Sequence, residues 1–274
     1  MTADIQGAVS ETRMHLVDGN VAVRVLSAGA GTPVLFLHGG GSLTWTPFLS
    51  ALAERCRVVA PEHPPSADLD YLAHLQDVWD LTLFYDELAD ALELDEYHLI
   101  GHSFGGMAAA ELAAHRRRGL RSLSLIAPVG MWRDDAPIPD LASLSADEMA
   151  DRMLADPDGA LGEEIRAQSD PARQPERERQ LAGILHYLWP LPDRGLRRRL
   201  YRITAPAMLV WGKADRLVAP VYAEEFASRL RDCRVELIEN AGHLPMLETP
   251  QELGRLVTDF ISQAGAGQES RGES

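Results

Sequence analysis

Cysteine is scarce in this chain: two in 274 residues, Cys56 and Cys233, too few for a disulfide scaffold. Each precedes an apolar stretch that reads as a strand, and nothing makes those two strands neighbours. Both are therefore expected to be reduced and structural. Positive charge is also short. Lys and Arg number 26 against 41 Asp and Glu, a net charge of −15. A surface that acidic repels nucleic acid and anionic membrane, so neither is expected as a partner. No segment approaches the ~20 unbroken apolar residues of a membrane helix. The opening residues, MTADIQGAVSETR, hold neither a basic nor an apolar signal region, which predicts a cytoplasmic protein. No HExxH and no cysteine-rich cluster is present, so no metal and no organic cofactor is expected.

What remains is an ordinary globular balance, 46% hydrophobic and 24% charged, enough for a large core. Residues 1–12 are polar and read as a flexible N-terminus. Met14–Val17 and Val21–Leu26 flank Asp18-Gly19-Asn20, a hairpin signal. Short apolar runs then alternate with helical patterns. Strands are predicted at 33–37, 57–60, 97–100, 120–126, 207–211 and 235–238. Helices are predicted near 46–55, 75–92, after Gly101, near 222–230 and over 250–261. That rhythm implies βαβ units and a mainly parallel sheet. The prolines of Pro61-Glu62-His63-Pro64-Pro65-Ser66 predict a loop, with Glu62 and His63 solvated. Segment 131–201 is polar and helical with no good strand, and reads as an insertion. Ser145-Ala-Asp-Glu148 and Asp156-Pro157 mark helix starts within it. Residues 263–274 read as a disordered tail.

The chemistry gathers at strand ends. Gly101-His102-Ser103-Phe104-Gly105-Gly106 follows an apolar strand and opens a helix, the context that makes G-x-S-x-G a nucleophile turn. Glycines at 101 and 105 let strand and helix approach closely, and the helix N-terminus offers free N–H groups to a forming oxyanion. A serine hydroxyl needs a base, and the base needs a third group to fix its tautomer. Gly212-Lys213-Ala214-Asp215 supplies an acid after one strand and Ala241-Gly242-His243 a base after the next, in the order Ser, Asp, His.

With His38-Gly39-Gly40-Gly41 after an earlier strand, these motifs resemble the α/β-hydrolase family in its capped serine form. The similarity covers residues 12–262, with 131–201 matching only as a cap of variable sequence. It implies an α/β fold: an eight-stranded, mostly parallel sheet flanked by helices, with the core at 13–130 and 202–262 and a helical cap at 131–201. It implies Ser103, Asp215 and His243 as a catalytic triad, and the backbone N–H groups of Gly40 and Phe104 as an oxyanion hole. One departure stands out: the family's Pro-Gly-x-Gly-x-Ser loop is replaced here by Pro61–Ser66 with neither glycine. A serine nucleophile also sets this chain apart from relatives that dehalogenate alkyl halides or open epoxides, which use aspartate. The expected reaction is hydrolysis of a small or medium carboxylic ester or lactone through an acyl-serine, with the rate falling at acid pH as His243 protonates. The alternatives are carbon–carbon bond hydrolysis of aromatic catabolism on the same triad, and, in a different class, a non-catalytic ligand-binding protein on the same fold. The expected partner is a small-molecule substrate; the oligomeric state is left open.

Other groups read more plainly. His98 and His102 lie across a strand and turn, not on one helical face, so they are not a metal pair. Trp132, Tyr187 and Trp189 could line an apolar substrate pocket or pack inside the insertion. Arg116–Arg118 and Arg197–Arg199 suit helix ends.

Overall fold

The computed structural model describes residues 9–167, 174–188 and 193–272, with side chains to residue 265. Eight strands form one sheet: β1 (Ser10–Leu16), β2 (Val21–Ala28), β3 (Pro33–Leu37), β4 (Arg57–Pro61), β5 (Tyr97–His102), β6 (Leu120–Ile126), β7 (Ala207–Gly212) and β8 (Cys233–Ile238). Their order across the sheet is β1-β2-β4-β3-β5-β6-β7-β8. The β1–β2 and β2–β4 pairs are antiparallel; every pair from β4 onward is parallel.

The helices are α1 (Pro47–Ala53), α2 (Pro64–Ala67), α3 (Val78–Ala91), α4 (Ser103–His115), α5 (Ala146–Met153), α6 (Ala160–Ala167), α7 (Gln174–Leu188), α8 (Val221–Ala227), α9 (Pro245–Glu248) and α10 (Pro250–Gly272). Alternation along the strands splits the core in two, because successive side chains leave opposite faces of a sheet. Leu35, Leu37, Leu99, Leu123, Leu209 and Trp211 pack one way, against α3, α4 and α8. Val34, Phe36, Ile100, Ile126, Met208 and Val210 pack the other way, against α1 and α10. A central strand such as β5 is thus buried along its whole length. Each large apolar side chain it contributes is worth roughly 1.5–3 kcal/mol.

Three boundaries differ from the sequence reading. β1 begins at Ser10, inside the stretch read as flexible, because its N-terminal residues pair with Val25–Ser27. The proline-dense loop holds a short helix, α2, with prolines at its first positions. Proline lacks only an N–H that the first helical turn leaves unbonded anyway. Finally, α10 continues to Gly272 instead of ending at Ile261. Extending an existing helix through Gln, Ala, Glu and Arg avoids the nucleation cost that a separate helix would bear.

Between β6 and β7 the described residues form α5, α6, α7 and three single turns of 3-10 helix, and no strand. The Ser145 capping box is present at the start of α5. α7 lies on α2 so closely that a Cβ on Gly183 would meet the Pro65 carbonyl oxygen at 2.3 Å. No described helix is long and apolar enough to cross a membrane.

Candidate active site

Parallel strands bring their C-terminal ends to one edge of the sheet, where His38 follows β3, Ser103 follows β5, Asp215 follows β7 and His243 follows β8. Ser103 has φ +51°. That left-handed conformation turns the chain sharply from β5 into α4 and lifts the side chain out of the sheet. It is possible only where neighbours give way. A Cβ on Gly101 would lie 2.3 Å from the Gly105 carbonyl oxygen, and one on Gly105 would lie 2.2 Å from those of Leu37 and His38.

The base and acid meet the serine directly. His243 Nε2 lies 2.9 Å from Ser103 Oγ, and His243 Nδ1 lies 2.8 Å from Asp215 Oδ2. A carboxylate only accepts, so Nδ1 carries the proton and Nε2 is free to accept from the serine hydroxyl. The other carboxylate oxygen of Asp215 accepts the backbone N–H groups of Leu217 and Val218 at 2.9 and 2.8 Å. Asp215 and His243 are both buried. The histidine loop is fixed from three sides. His102 Nε2 donates to the His243 carbonyl at 2.8 Å. The His243 N–H donates to the Met153 carbonyl, at the end of α5. The Glu248 carboxylate accepts from Gly242, Leu244 and Ala155 N–H groups.

Ser103 opens into a cavity of about 850 Å³. Its walls are mostly apolar and come largely from segment 131–201, including Ile138, Leu141, Met149, Ile165, Leu181 and Ile184. Its mouth carries Asp140, Glu164, Glu176 and Arg177.

Residues 34–256 match the profile described as the alpha/beta hydrolase family. This chain belongs to the alpha/beta hydrolase family. It is a hydrolase, and its relatives include lipases and esterases. A monoacylglycerol lipase of Xenopus laevis is 28% identical over 84% of this chain and 75% of that protein. The pimeloyl-[acyl-carrier protein] methyl ester esterase of Aeromonas hydrophila is 29% identical over 88% of this chain and 100% of that protein. Among solved structures, a bacterial membrane phospholipase A superposes with a TM-score of 0.75 and 27% identity, covering 93% of this chain and 86% of that one.

Within this alpha/beta hydrolase site, Ser103, Asp215 and His243 come together, and Gly40 and Phe104 line the cavity beside Ser103. Trp132 also lines it, its indole N–H donating to Asp134. Tyr187 does not. It is fully buried behind Phe104, and its hydroxyl donates to the Leu75 carbonyl at 2.7 Å. The phenol needs a polar partner, and the chain just before α3 supplies one away from the cavity. Trp189 lies outside the described residues. His98 and His102 have separate partners: His98 Nδ1 bonds Ser122 Oγ at 2.7 Å. Burial lowers the His98 imidazole to about 4 and, with the nearby His243, that of His102 to about 3.

His63 is the largest departure from the sequence reading. It is fully buried, not solvated, and bonded to His38 and Tyr85. Glu62 beside it pairs with Arg24. Nothing local marks a histidine among prolines as buried, because α2 and α3 cover it only in the folded chain. Met153 and the Glu248–Ala155 contact were invisible for the same reason: they join groups far apart in sequence.

Proposed function

We propose that this hydrolase cleaves a carboxylic ester with a sizeable apolar portion, through an acyl-serine intermediate. His243 takes the proton from Ser103 as its Oγ attacks the ester carbonyl. Asp215 holds His243 in the reactive tautomer and stabilises its charge. The N–H groups of Gly40 and Phe104 receive the oxyanion, which the N-terminus of α4 also favours. His243 then protonates the leaving alcohol and activates water for deacylation. Segment 131–201 serves as a cap, its apolar residues contacting the acyl or alcohol group.

The observation that carries this reading is the continuous 2.9 and 2.8 Å chain from Ser103 through His243 to Asp215 at the floor of an apolar cavity. The charge of the cavity lining favours an ester over the carbon–carbon bond reading, which would use the same triad. Dienoate substrates of that reaction carry a carboxylate, and the described cavity residues offer Arg177 as their one cation against Asp140, Glu164 and Glu176. The acidic surface favours a site of action away from nucleic acid and anionic membrane.

p-Nitrophenyl esters of two to sixteen carbons give the test, alongside labelling by a fluorophosphonate. Turnover is expected with a maximum among the longer chains, together with one label on Ser103. No turnover of any ester and no label would overturn the reading. A flat chain-length profile would overturn the apolar-substrate part alone.

A further inference from the structure

His63 is a buried titratable residue with no part in the proton transfers above. It lies just past β4 as the N-cap of α2, and it is 0% exposed, so it cannot touch a substrate. Three hydrogen bonds bind it to its surroundings. Its Nε2–H donates to the His38 carbonyl at 2.6 Å. Its backbone N–H donates to His38 Nε2 at 3.1 Å. Its Nδ1 accepts from the Tyr85 hydroxyl. The carbonyl can only accept, so the proton sits on Nε2 and Tyr85 must be the donor at Nδ1. Burial lowers the His63 imidazole to about 4, so the neutral ring persists at neutral pH.

The same ring meets both sides of the oxyanion hole proposed above. It lies over the His38 ring with centroids 3.9 Å apart, and its edge meets Phe104 at 4.9 Å and 89°. His38 immediately precedes Gly39-Gly40, where glycine leaves the backbone no side-chain packing of its own. Phe104 carries the second N–H. The loop after β3 and the turn after β5 belong to neighbouring strands, but the sheet ladder ends at Leu37 and Gly101. Past that point the two segments touch directly, Gly105 against the His38 carbonyl and the His102 ring against Gly39, and His63 adds a side chain that bonds one loop and packs on the other.

We propose that His63 is a positioning residue for the oxyanion hole, fixing the spacing between the Gly40 and Phe104 N–H groups, with Tyr85 holding its tautomer. The proposal rests on the acyl-transfer reading above. Donors aimed at a developing oxyanion act in the transition state and hardly at all on bound ester. Loss of His63 should therefore lower kcat and leave KM nearly unchanged.

The test uses His63→Leu, His63→Gln and Tyr85→Phe in the full chain, with the best p-nitrophenyl ester. A trifluoromethyl ketone that forms a hemiketal oxyanion on serine is compared with its unreactive ether analogue. Removing an oxyanion donor outright costs about 10²–10³ in kcat, and a misplaced donor costs less. For His63→Leu we expect kcat to fall by about 30-fold with KM within about twofold. Trifluoromethyl ketone affinity should fall in proportion to kcat/KM, while ether affinity holds. His63→Gln, whose amide can reach the His38 carbonyl, should recover most of the rate. Tyr85→Phe should lose about three- to tenfold in kcat. A folded His63→Leu variant with wild-type kcat overturns the proposal, as does a rise in KM alone or a failure of Gln to outperform Leu. If His63→Leu does not fold, wild-type kcat in Tyr85→Phe overturns it. An inactive, unlabelled wild type would instead sink the acyl-transfer reading itself, so the two failures are distinct.

Discussion

Ser103 carries a Cβ at φ +51°, in a region where an L-residue is strained by roughly 1–2 kcal/mol. Both Ser103→Ala and Ser103→Gly remove the hydroxyl, but only glycine relieves that strain. We expect the Gly variant to be more stable than the Ala variant by about 1 kcal/mol in urea unfolding, the reverse of the usual order in a helix. Equal midpoints would mean the turn relaxes when the hydroxyl is lost. Buried histidines give a second residue-scale expectation. His63 and His98 are lowered to about 4, His102 to about 3, and His38 well below its ordinary value, each chiefly by burial. The unfolded chain takes up protons near pH 6.5 while folded His63, His98 and His102 resist them until pH 3–4, and His38 resists them likewise. Their stabilising contribution is therefore complete above about pH 6.5 and lost as pH falls toward 4, at about 1.4 kcal/mol per pH unit for each ring. Urea midpoints at pH 7.5 and 5 measure this; an unchanged midpoint would mean water reaches these rings.

At the scale of elements, the strands and the nucleophile turn were legible because each is written in contiguous residues. Val34–Leu37 and Tyr97–Ile100 are short apolar runs, and Gly101–Gly106 holds both the strained serine and the glycines that make room for it. Asp215 and His243 were legible by their order and their place after a strand. His63 was not, because its burial depends on α2, a helix begun by two prolines, and on Tyr85 twenty-two residues away. The Glu248 brace was hidden in the same way. Its carboxylate links α9 to the His243 loop and to Ala155 just beyond α5. Glu248→Ala would leave three backbone N–H groups in part-buried surroundings without an acceptor. We expect it to cost about 1–3 kcal/mol and to slow fluorophosphonate labelling of Ser103, as His243 loses its fixed position. Wild-type labelling with reduced stability would confine Glu248 to a structural role.

For the whole molecule, the sheet brings Ser103, Asp215 and His243 to one edge and the segment between β6 and β7 lines much of the cavity above them. The sheet was readable from alternation and order, whereas the cavity was not. Its wall depends on how α5, α6 and α7 lie over α2 and the His38 loop, which no periodicity within 131–201 encodes. Ile184, for example, sits 3.5 Å from where a Cβ on Gly40 would be, so α7 closes directly over the glycine loop.

The acidic mouth of that cavity has a consequence for turnover. On the proposed ester reaction, a neutral substrate would pass Asp140, Glu164 and Glu176 without opposition, whereas the acid released from it would be an anion at neutral pH. Like charges raise the energy of that anion near the rim, so the product acid would be held less tightly than a neutral ester of the same size. Inhibition by the product carboxylate should accordingly be weak in dilute buffer and tighten as salt screens the rim, since the screening length shrinks from about 30 Å at 0.01 M to about 10 Å at 0.1 M. The product alcohol should show no such trend. A carboxylate inhibition constant that does not move with ionic strength would leave the rim no part in clearing the site.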